Sequence, residues 1–151
     1  MEHILNDIWW VKDSIEHVIC KNTGDWRDWL LKNHLSRHEV WLVFFKNAKA
    51  KRYVNYDQAL DEALCFGWID NLVKRIDDEK YAIRFARRRE KSKWSLGNKA
   101  RVERLIAGNR LSAAGTAVVE AAKANGTWES TDRPPLKTEI PFQLKDALEK
   151  K

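Results

Sequence analysis

The sequence has few of the features that mark secreted, redox-active or membrane-spanning proteins. Its 151 residues include two cysteines, Cys20 and Cys65, which are too few and too far apart for a disulfide framework or a Cys-x-x-Cys motif. No apolar run approaches the roughly 18 residues of a membrane-spanning helix. The first ten residues contain Glu2 and Asp7 and lack the basic leader and apolar stretch of a signal peptide. These absences predict a cytoplasmic protein with reduced thiols.

Motifs that bind nucleotides or metals, or that supply a nucleophile, are also missing. The sequence has no Gly-rich phosphate loop and no Gly-x-Ser-x-Gly turn. His34 and His38 have the four-residue spacing that can hold zinc on a helix, but no third ligand accompanies them. Cys65 ends a predicted helix among apolar neighbours, which favours a buried thiol over a nucleophile. We therefore expect no metal, no cofactor and no catalytic residue.

Prolines are scarce and lie near the end of the chain. All three, Pro134, Pro135 and Pro141, fall in a stretch that predicts a loop or linker. Phe142–Leu148 then starts a helix about two turns before the chain ends. We expect one domain over residues 1–130, followed over 131–151 by a linker and the start of a C-terminal helix, as in a truncated protein.

Apolar spacing and capping residues predict helices mixed with strands. Ile4–Cys20 has the three-and-four spacing of a core-facing helix. Further helices are expected to begin directly after the capping residues Asp25, Asn55, Ser95 and Ser112. Strands are expected at Glu39–Lys46, Trp68–Asp77 and Tyr81–Arg89, the last two as an antiparallel hairpin with one apolar and one wet face. These elements predict an α+β fold: a small, mainly antiparallel sheet with a hairpin, packed by several helices.

Several spaced motifs resemble the YdeI/OmpD-associated family, also called the bacteriocin-protection family. Residues 63–70 read Ala-Leu-Cys-Phe-Gly-Trp-Ile-Asp, and an arginine-rich signature follows at Phe85, Arg88, Arg89, Ser92, Trp94, Ser95 and Asn98. Other blocks agree in order, at Trp26, Trp29, Leu30, Asn33 and His34, at Glu39, Val40, Trp41 and Leu42, and at Gly115, Ala122, Lys123, Gly126 and Trp128. The resemblance covers about residues 25 to 130.

The chain departs from the family pattern at Ala86 and Arg87, where Thr and Pro are usual, and at Leu111, where Met is common. The resemblance implies an α+β fold and a role in stress or in tolerance of bacteriocins and antimicrobial peptides. Members usually continue through a further helical segment, which implies that this chain is a truncated or short member. The family has no established reaction, so the resemblance implies no catalytic residue.

The positive charge is concentrated in residues 84–104. This stretch has nine lysines and arginines against Glu90 and Glu103, whereas the rest of the chain sums to −1. Arginine suits bidentate contacts with phosphate or carboxylate, and the first amides of a helix after Ser95 also attract anions. Two interpretations stay open: an anion-binding groove, or a solvated basic face whose arginines pair with carboxylates elsewhere.

The candidate ligand-binding residues lie in and before this stretch. In a strand Asp70 would share a face with Trp68 and Leu72, and a carboxylate among apolar neighbours needs a partner, for which Arg88 or Arg89 is the natural choice. We expect the arginines to bind the anion, polar side chains to orient it and tryptophans to form apolar walls. The set is Trp68, Asp70, Arg88, Arg89, Ser92, Trp94, Ser95 and Asn98.

Such a site favours a non-enzymatic binding domain for an anionic small molecule or an acidic protein surface. An enzyme with Asp70 as acid or base is a second interpretation, although no matched second group is evident. A nucleic-acid binder is a third, in which Trp94 stacks on bases amid the basic residues of 84–104.

Overall fold

A computed structural model of the chain describes residues 15–129, within which four α-helices pack around a four-stranded sheet. The strands are β1 (His17–Val18), β2 (Glu39–Phe45), β3 (Trp68–Arg75) and β4 (Lys80–Arg87). The helices are α1 (Thr23–Asn33), α2 (Tyr56–Cys65), α3 (Leu96–Ala107) and α4 (Ala113–Asn125), and a 3-10 helix spans Asn47–Arg52. The predicted α+β fold is confirmed. The linker and helix predicted over 131–151 lie outside the described residues.

Side-chain caps start the helices where capping rules place them. The Oδ1 of Asn55 accepts the amide N–H of Gln58 at 2.9 Å and starts α2, and Ser95 and Ser112 start α3 and α4 in the same way. The cap predicted for α1 is wrong. Asn22, not Asp25, is the cap, because the helix begins at Thr23 and the Oδ1 of Asn22 accepts the amide N–H of Asp25 at 2.8 Å.

The sheet has the strand order β1-β2-β4-β3, so β4 pairs on both sides. It is antiparallel to β2 and to β3, whereas the two-residue β1 is parallel to β2. The helix predicted over Ile4–Cys20 is wrong where it is described, because His17 and Val18 pair with β2 at Trp41 and Leu42. Hydrogen bonding to this sheet edge overrides the helical spacing of the apolar residues. Residues 1–14 lie outside the described residues.

The hairpin of β3 and β4 is closed by Asp77, whose Oδ1 accepts the amide N–H groups of Glu79 at 2.8 Å and Lys80 at 3.0 Å. A bulge between Asp70 and Leu72 shifts the register of β3, so that Asp70 lies opposite Phe85 and Leu72 lies opposite Arg84. The two side chains therefore lie on opposite faces. The expectation that Asp70 and Leu72 share a face is wrong, because the bulge breaks the strand alternation.

The main core lies between the helices and one face of the sheet. Trp26 on α1 is fully buried, with its ring 5.3 Å from that of Phe85 and its Nε1 donating to the carbonyl of Ala59 on α2 at 3.0 Å. The other sheet face, expected to be wet, has a smaller apolar cluster of Trp41, Val43 and Ala82. No helix within residues 15–129 has the length and apolarity to cross a membrane.

Candidate functional site

The connection between β4 and α3 holds Arg88 in a fixed position. Its amide N–H donates to the carbonyl of Gly67 at 3.0 Å, which ties the chain to the start of β3. Its guanidinium lies 3.7 Å from the ring centroid of Trp94, a cation–π contact. The Nη2 of Arg88 also donates to the Oγ of Ser92 at 3.1 Å and to the carbonyl of Lys93 at 3.2 Å. Arg88 is thus a buried cation that shapes the connection.

Trp94 joins this connection to the end of α4. Its buried ring lies 5.0 Å from the ring of Trp128, whose backbone N–H donates to the carbonyl of Ala122 at 3.1 Å. The carbonyl of Trp128 accepts a hydrogen bond from the Nζ of Lys99 on α3 at 2.9 Å. The two tryptophans therefore hold the connection, α3 and the end of α4 together.

A groove of about 260 Å³ lies between the connection and α4, and we call it the α4 groove. It is lined by Arg88, Arg89, Glu90, Trp94, Ala117, Val118, Ala121 and Ala122. Arg89 is exposed, and its side chain makes no hydrogen bond or ion pair with any residue of 15–129. The groove thus combines an available guanidinium with an apolar wall.

Three of the eight predicted site residues line the α4 groove: Arg88, Arg89 and Trp94. Ser92 adjoins it through its hydrogen bond to Arg88. Ser95 and Asn98 serve the start of α3, where the Oγ of buried Ser95 accepts the backbone amide N–H of buried Asn98 at 3.1 Å. Trp68 is 1% exposed in the main core, with its ring edge-on to Trp29 at 5.8 Å.

Asp70 lies on the helix-facing side of β3, where it meets Tyr56 of α2. The hydroxyl of Tyr56 donates to the Oδ2 of Asp70 at 2.7 Å. Burial, followed by the nearby carboxylate of Asp70, raises the pKa of Tyr56 well above its usual range. Tyr56 is therefore a donor that burial and the Asp70 carboxylate keep protonated. The pairing of Asp70 with Arg88 or Arg89 stays a prediction.

Several arginines of residues 84–104 pair with carboxylates or carbonyls from other elements. Arg101 contacts Asp57 at 2.8 Å and Asp61 at 3.0 Å on α2, and Arg104 contacts Asp61 at 3.1 Å. Arg84 lies 3.6 Å from Glu39, and Arg87 donates to the carbonyls of His34 and Leu35 at the end of α1. The arginines of α3 thus fit the interpretation of a basic face that pairs with carboxylates elsewhere in the fold. Arg89 does not fit it.

Cys65 and His34, both considered from the sequence, serve the packing of the fold. Cys65 is fully buried, and both Cys20 and Cys65 are free thiols. Burial, and after it the carboxylate of Glu62, raises the pKa of Cys65. His34 packs on Phe66 with ring centroids 4.9 Å apart, and its Nδ1 lies 2.7 Å from the carbonyl of Leu30. Within residues 15–129 no cluster of three or more potential ligands could hold a metal ion.

The first turn of α4 packs directly on the last turn of α2, at a contact we call the closed junction. The backbone N–H and the Oγ of Ser112 both donate to the carbonyl of Cys65, at 2.9 and 2.7 Å. A Cβ at Gly115 would lie 2.2 Å from the same oxygen. Beside it, the buried carboxylate of Glu62 pairs with Arg27 at 2.6 Å and with Arg110. Only a glycine at position 115 permits this approach.

Few features of the sequence indicate the residues that α4 contributes to the groove. Ala117, Val118, Ala121 and Ala122 recur at i, i+1, i+4 and i+5, which marks one helix face. Small apolar residues on a helix predict close packing as readily as a groove, so spacing alone could not assign them. The groove also depends on the position of residues 88–94, which Gly67 and Trp128 fix from distant parts of the chain.

A protein-family model described as a domain of unknown function, DUF8412, matches residues 18–118. The chain belongs to this family. The match runs from β1 into α4, so the DUF8412 region includes Arg88, Arg89 and Trp94 and the first two groove residues of α4. No curated protein and no solved structure matches the chain. The resemblance of this DUF8412 domain to the YdeI/OmpD-associated family stays a prediction.

Proposed function

We propose that this DUF8412 domain is a non-enzymatic binding domain that takes an anionic ligand, or an anionic group of an acidic partner, in the α4 groove. One observation carries the proposal. Arg89 lines the groove with no side-chain partner within residues 15–129, beside the fixed Arg88 and the ring of Trp94. A guanidinium at the rim of an apolar groove is a usual arrangement for recognising a carboxylate, sulfonate or phosphate.

The two arginines have different roles in this proposal. Arg88 is buried and holds Trp94, Ser92 and the carbonyl of Lys93, so it shapes the groove and adds positive charge. Arg89 is exposed and contacts the ligand directly. A charge-assisted hydrogen bond contributes about 1.5 to 3 kcal/mol, equivalent to roughly 10- to 150-fold in affinity. Arg89 therefore accounts for most of the expected anion preference.

The test is a titration of the folded chain with sodium benzoate and with inorganic phosphate, followed by backbone amide NMR shifts. We expect at least one of these anions to shift amides of residues 88–94 and of α4 in a saturable way. Arg89→Ala should weaken that binding tenfold or more. Arg104→Ala is the matched control, because Arg104 pairs with Asp61 and lies outside the α4 groove.

Two results would overturn the proposal. One is that neither anion shifts the groove residues at concentrations up to those that cause general salt effects. The other is that Arg89→Ala and Arg104→Ala weaken binding equally, since this would mean that the anions respond to overall charge.

The two alternative functions have less support. A nucleic-acid surface would need several available cations in residues 84–104, but Arg101 and Arg104 are neutralised by Asp57 and Asp61. An enzyme with Asp70 as acid or base would need an accessible carboxylate, and one Asp70 oxygen already accepts the Tyr56 hydroxyl.

The resemblance to the YdeI/OmpD-associated family extends the proposal to a cytoplasmic role in stress or antimicrobial-peptide tolerance. In its native host, deletion of the gene should increase sensitivity to a cationic antimicrobial peptide. The wild-type gene and Arg104→Ala should restore tolerance, whereas Arg89→Ala should not. Unchanged sensitivity of the deletion strain would exclude this role and would leave ligand binding to be judged by the titration.

A further inference from the structure

The lining of the α4 groove has two chemically different sides. Residues 88–90, which leave the end of β4, form a charged side of two arginines and one glutamate. The ring of Trp94 and one face of α4 form an apolar side, made of Ala117, Val118, Ala121 and Ala122. A small inorganic anion would occupy the first side and leave the second in water. A ligand that covers both sides buries apolar surface in addition to its charge.

The charges of the lining set the charge of the ligand. Arg89 is the exposed cation of the groove lining, and Glu90 follows it directly in the chain. A single negative charge balances Arg89, whereas a dianion or a polyanion would bring a second negative charge next to Glu90. The balance therefore favours a monoanion over a phosphate ester or a nucleic acid.

The volume of the groove sets the size of the ligand. About 260 Å³ is small for a drug-sized ligand site, which spans about 300 to 1,000 Å³. An organic acid of about ten non-hydrogen atoms matches it, and a helix or a folded peptide does not.

We infer that the α4 groove binds a small amphipathic monocarboxylate, with its carboxylate at Arg89 and its hydrocarbon part against Trp94 and the apolar face of α4. The inference rests on the proposed function and names its ligand class. Burial against Ala117, Val118 and Ala121 adds affinity with each methylene group, while the guanidinium of Arg89 selects the anionic form.

The test measures dissociation constants for acetate, butanoate, hexanoate and octanoate, with inorganic phosphate and octyltrimethylammonium as comparison ligands. Each added methylene should tighten binding about fourfold, as expected for ~0.8 kcal/mol per buried methylene, until the groove is full near octanoate. Octyltrimethylammonium, which has the chain without the anion, should bind at least tenfold more weakly than octanoate.

A groove-filling variant separates this groove from other apolar surfaces. Ala117 is an exposed residue of α4 that lines the groove, so Ala117→Leu should occupy the space of the hydrocarbon chain and weaken octanoate tenfold or more. Ala124→Leu makes the same change at an exposed position of α4 outside the groove and should leave octanoate binding unchanged. Acetate should be little affected by either variant.

The outcomes distinguish this inference from the proposed function. If phosphate and acetate bind as tightly as octanoate and depend on Arg89, the groove binds anions and the amphipathic ligand class is wrong. If octyltrimethylammonium binds as tightly as octanoate, the groove recognises hydrocarbon alone and both proposals are wrong. Equal weakening by Ala117→Leu and Ala124→Leu would place the ligand outside the α4 groove and overturn the inference.

Discussion

The two ends of α4 meet the rest of the domain in opposite ways. At the closed junction, Ser112 and Gly115 touch the carbonyl of Cys65, and the nearby carboxylate of Glu62 is paired with two arginines. From about half a turn to two turns beyond Gly115, the same helix lines a groove in which Arg89 has no partner within the described part of the chain. One end is therefore built for stability, and the other leaves surface and charge available for a ligand.

Gly115→Ala tests the closed junction with the largest expected effect. The new Cβ would lie 2.2 Å from a backbone oxygen that cannot move without shifting α2. We therefore expect the free energy of unfolding to fall by about 3 kcal/mol or more. Gly97→Ala on α3 is the matched control, because nothing lies within 4 Å of its Cβ, and it should gain about 0.5 kcal/mol. Urea unfolding measures both, and equal stabilities would contradict a tight junction.

Glu62→Gln should have the next largest effect. The substitution leaves Arg27 and Arg110 without their shared carboxylate, although both guanidiniums can turn partly towards water. The free energy of unfolding should fall by about 2 kcal/mol, which is less than the roughly 3 to 5 kcal/mol expected when one partner of a fully buried ion pair is removed. Glu103→Gln changes an exposed carboxylate on α3 and should stay within ~0.5 kcal/mol. Similar losses in both variants would mean that burial of Glu62 adds nothing.

Alkaline pH should weaken the closed junction through Cys65. Because its pKa is raised in the folded state, the unfolded chain ionises first, near pH 8.5. The stability from the neutral thiol is complete below that pH and is lost as the pH rises towards the folded pKa, by at most about 1.4 kcal/mol per pH unit. Measured in a Cys20→Ala background, Cys65→Ala should flatten the fall between pH 8 and 10. An unchanged slope would refute this role.

Substitutions in the α4 groove should have the smallest effect on stability. Arg89→Ala and Ala117→Leu alter exposed residues of the α4 groove, and each should change the free energy of unfolding by less than about 0.5 kcal/mol. Thermal and urea unfolding give the measurement. A loss near 2 kcal/mol in Arg89→Ala would place Arg89 in the structural framework and remove the contrast between the two ends.

The sequence predicted the elements that local rules control. Helices start at Asn55, Ser95 and Ser112 because a side chain caps the first turn. The hairpin forms around Asp77 because a polar tetrad separates two β-prone stretches, the second of which has alternating apolar residues. It failed where a distant partner decides the conformation. β1 pairs with β2 despite a helical spacing of apolar residues, and the bulge before Leu72 reverses its face.

The candidate site shows the same contrast between features set by local sequence and features set by distant partners. Arg88, Arg89 and Trp94 lie within seven residues, so a shared location followed from the sequence alone. The apolar wall of α4 did not, because it depends on how a helix 25 residues later packs beside them. Trp68 and Ser95 were expected at a ligand, yet the core and the start of α3 bury them. The residues next to a tryptophan or a serine in the sequence do not show whether it lies in the core, caps a helix or contacts a ligand.

The central position of β4 has a consequence for synthesis of the chain. β2, whose middle residues are all buried, lies between β1 and β4, and β4 ends about 40 residues after it. At 5–20 residues per second, a ribosome needs roughly 2 to 8 s to produce that length. During this interval the apolar segment Val40–Phe45 has no antiparallel neighbour to cover its backbone groups. Release from the ribosome before Arg87 would therefore expose the most aggregation-prone strand of the domain.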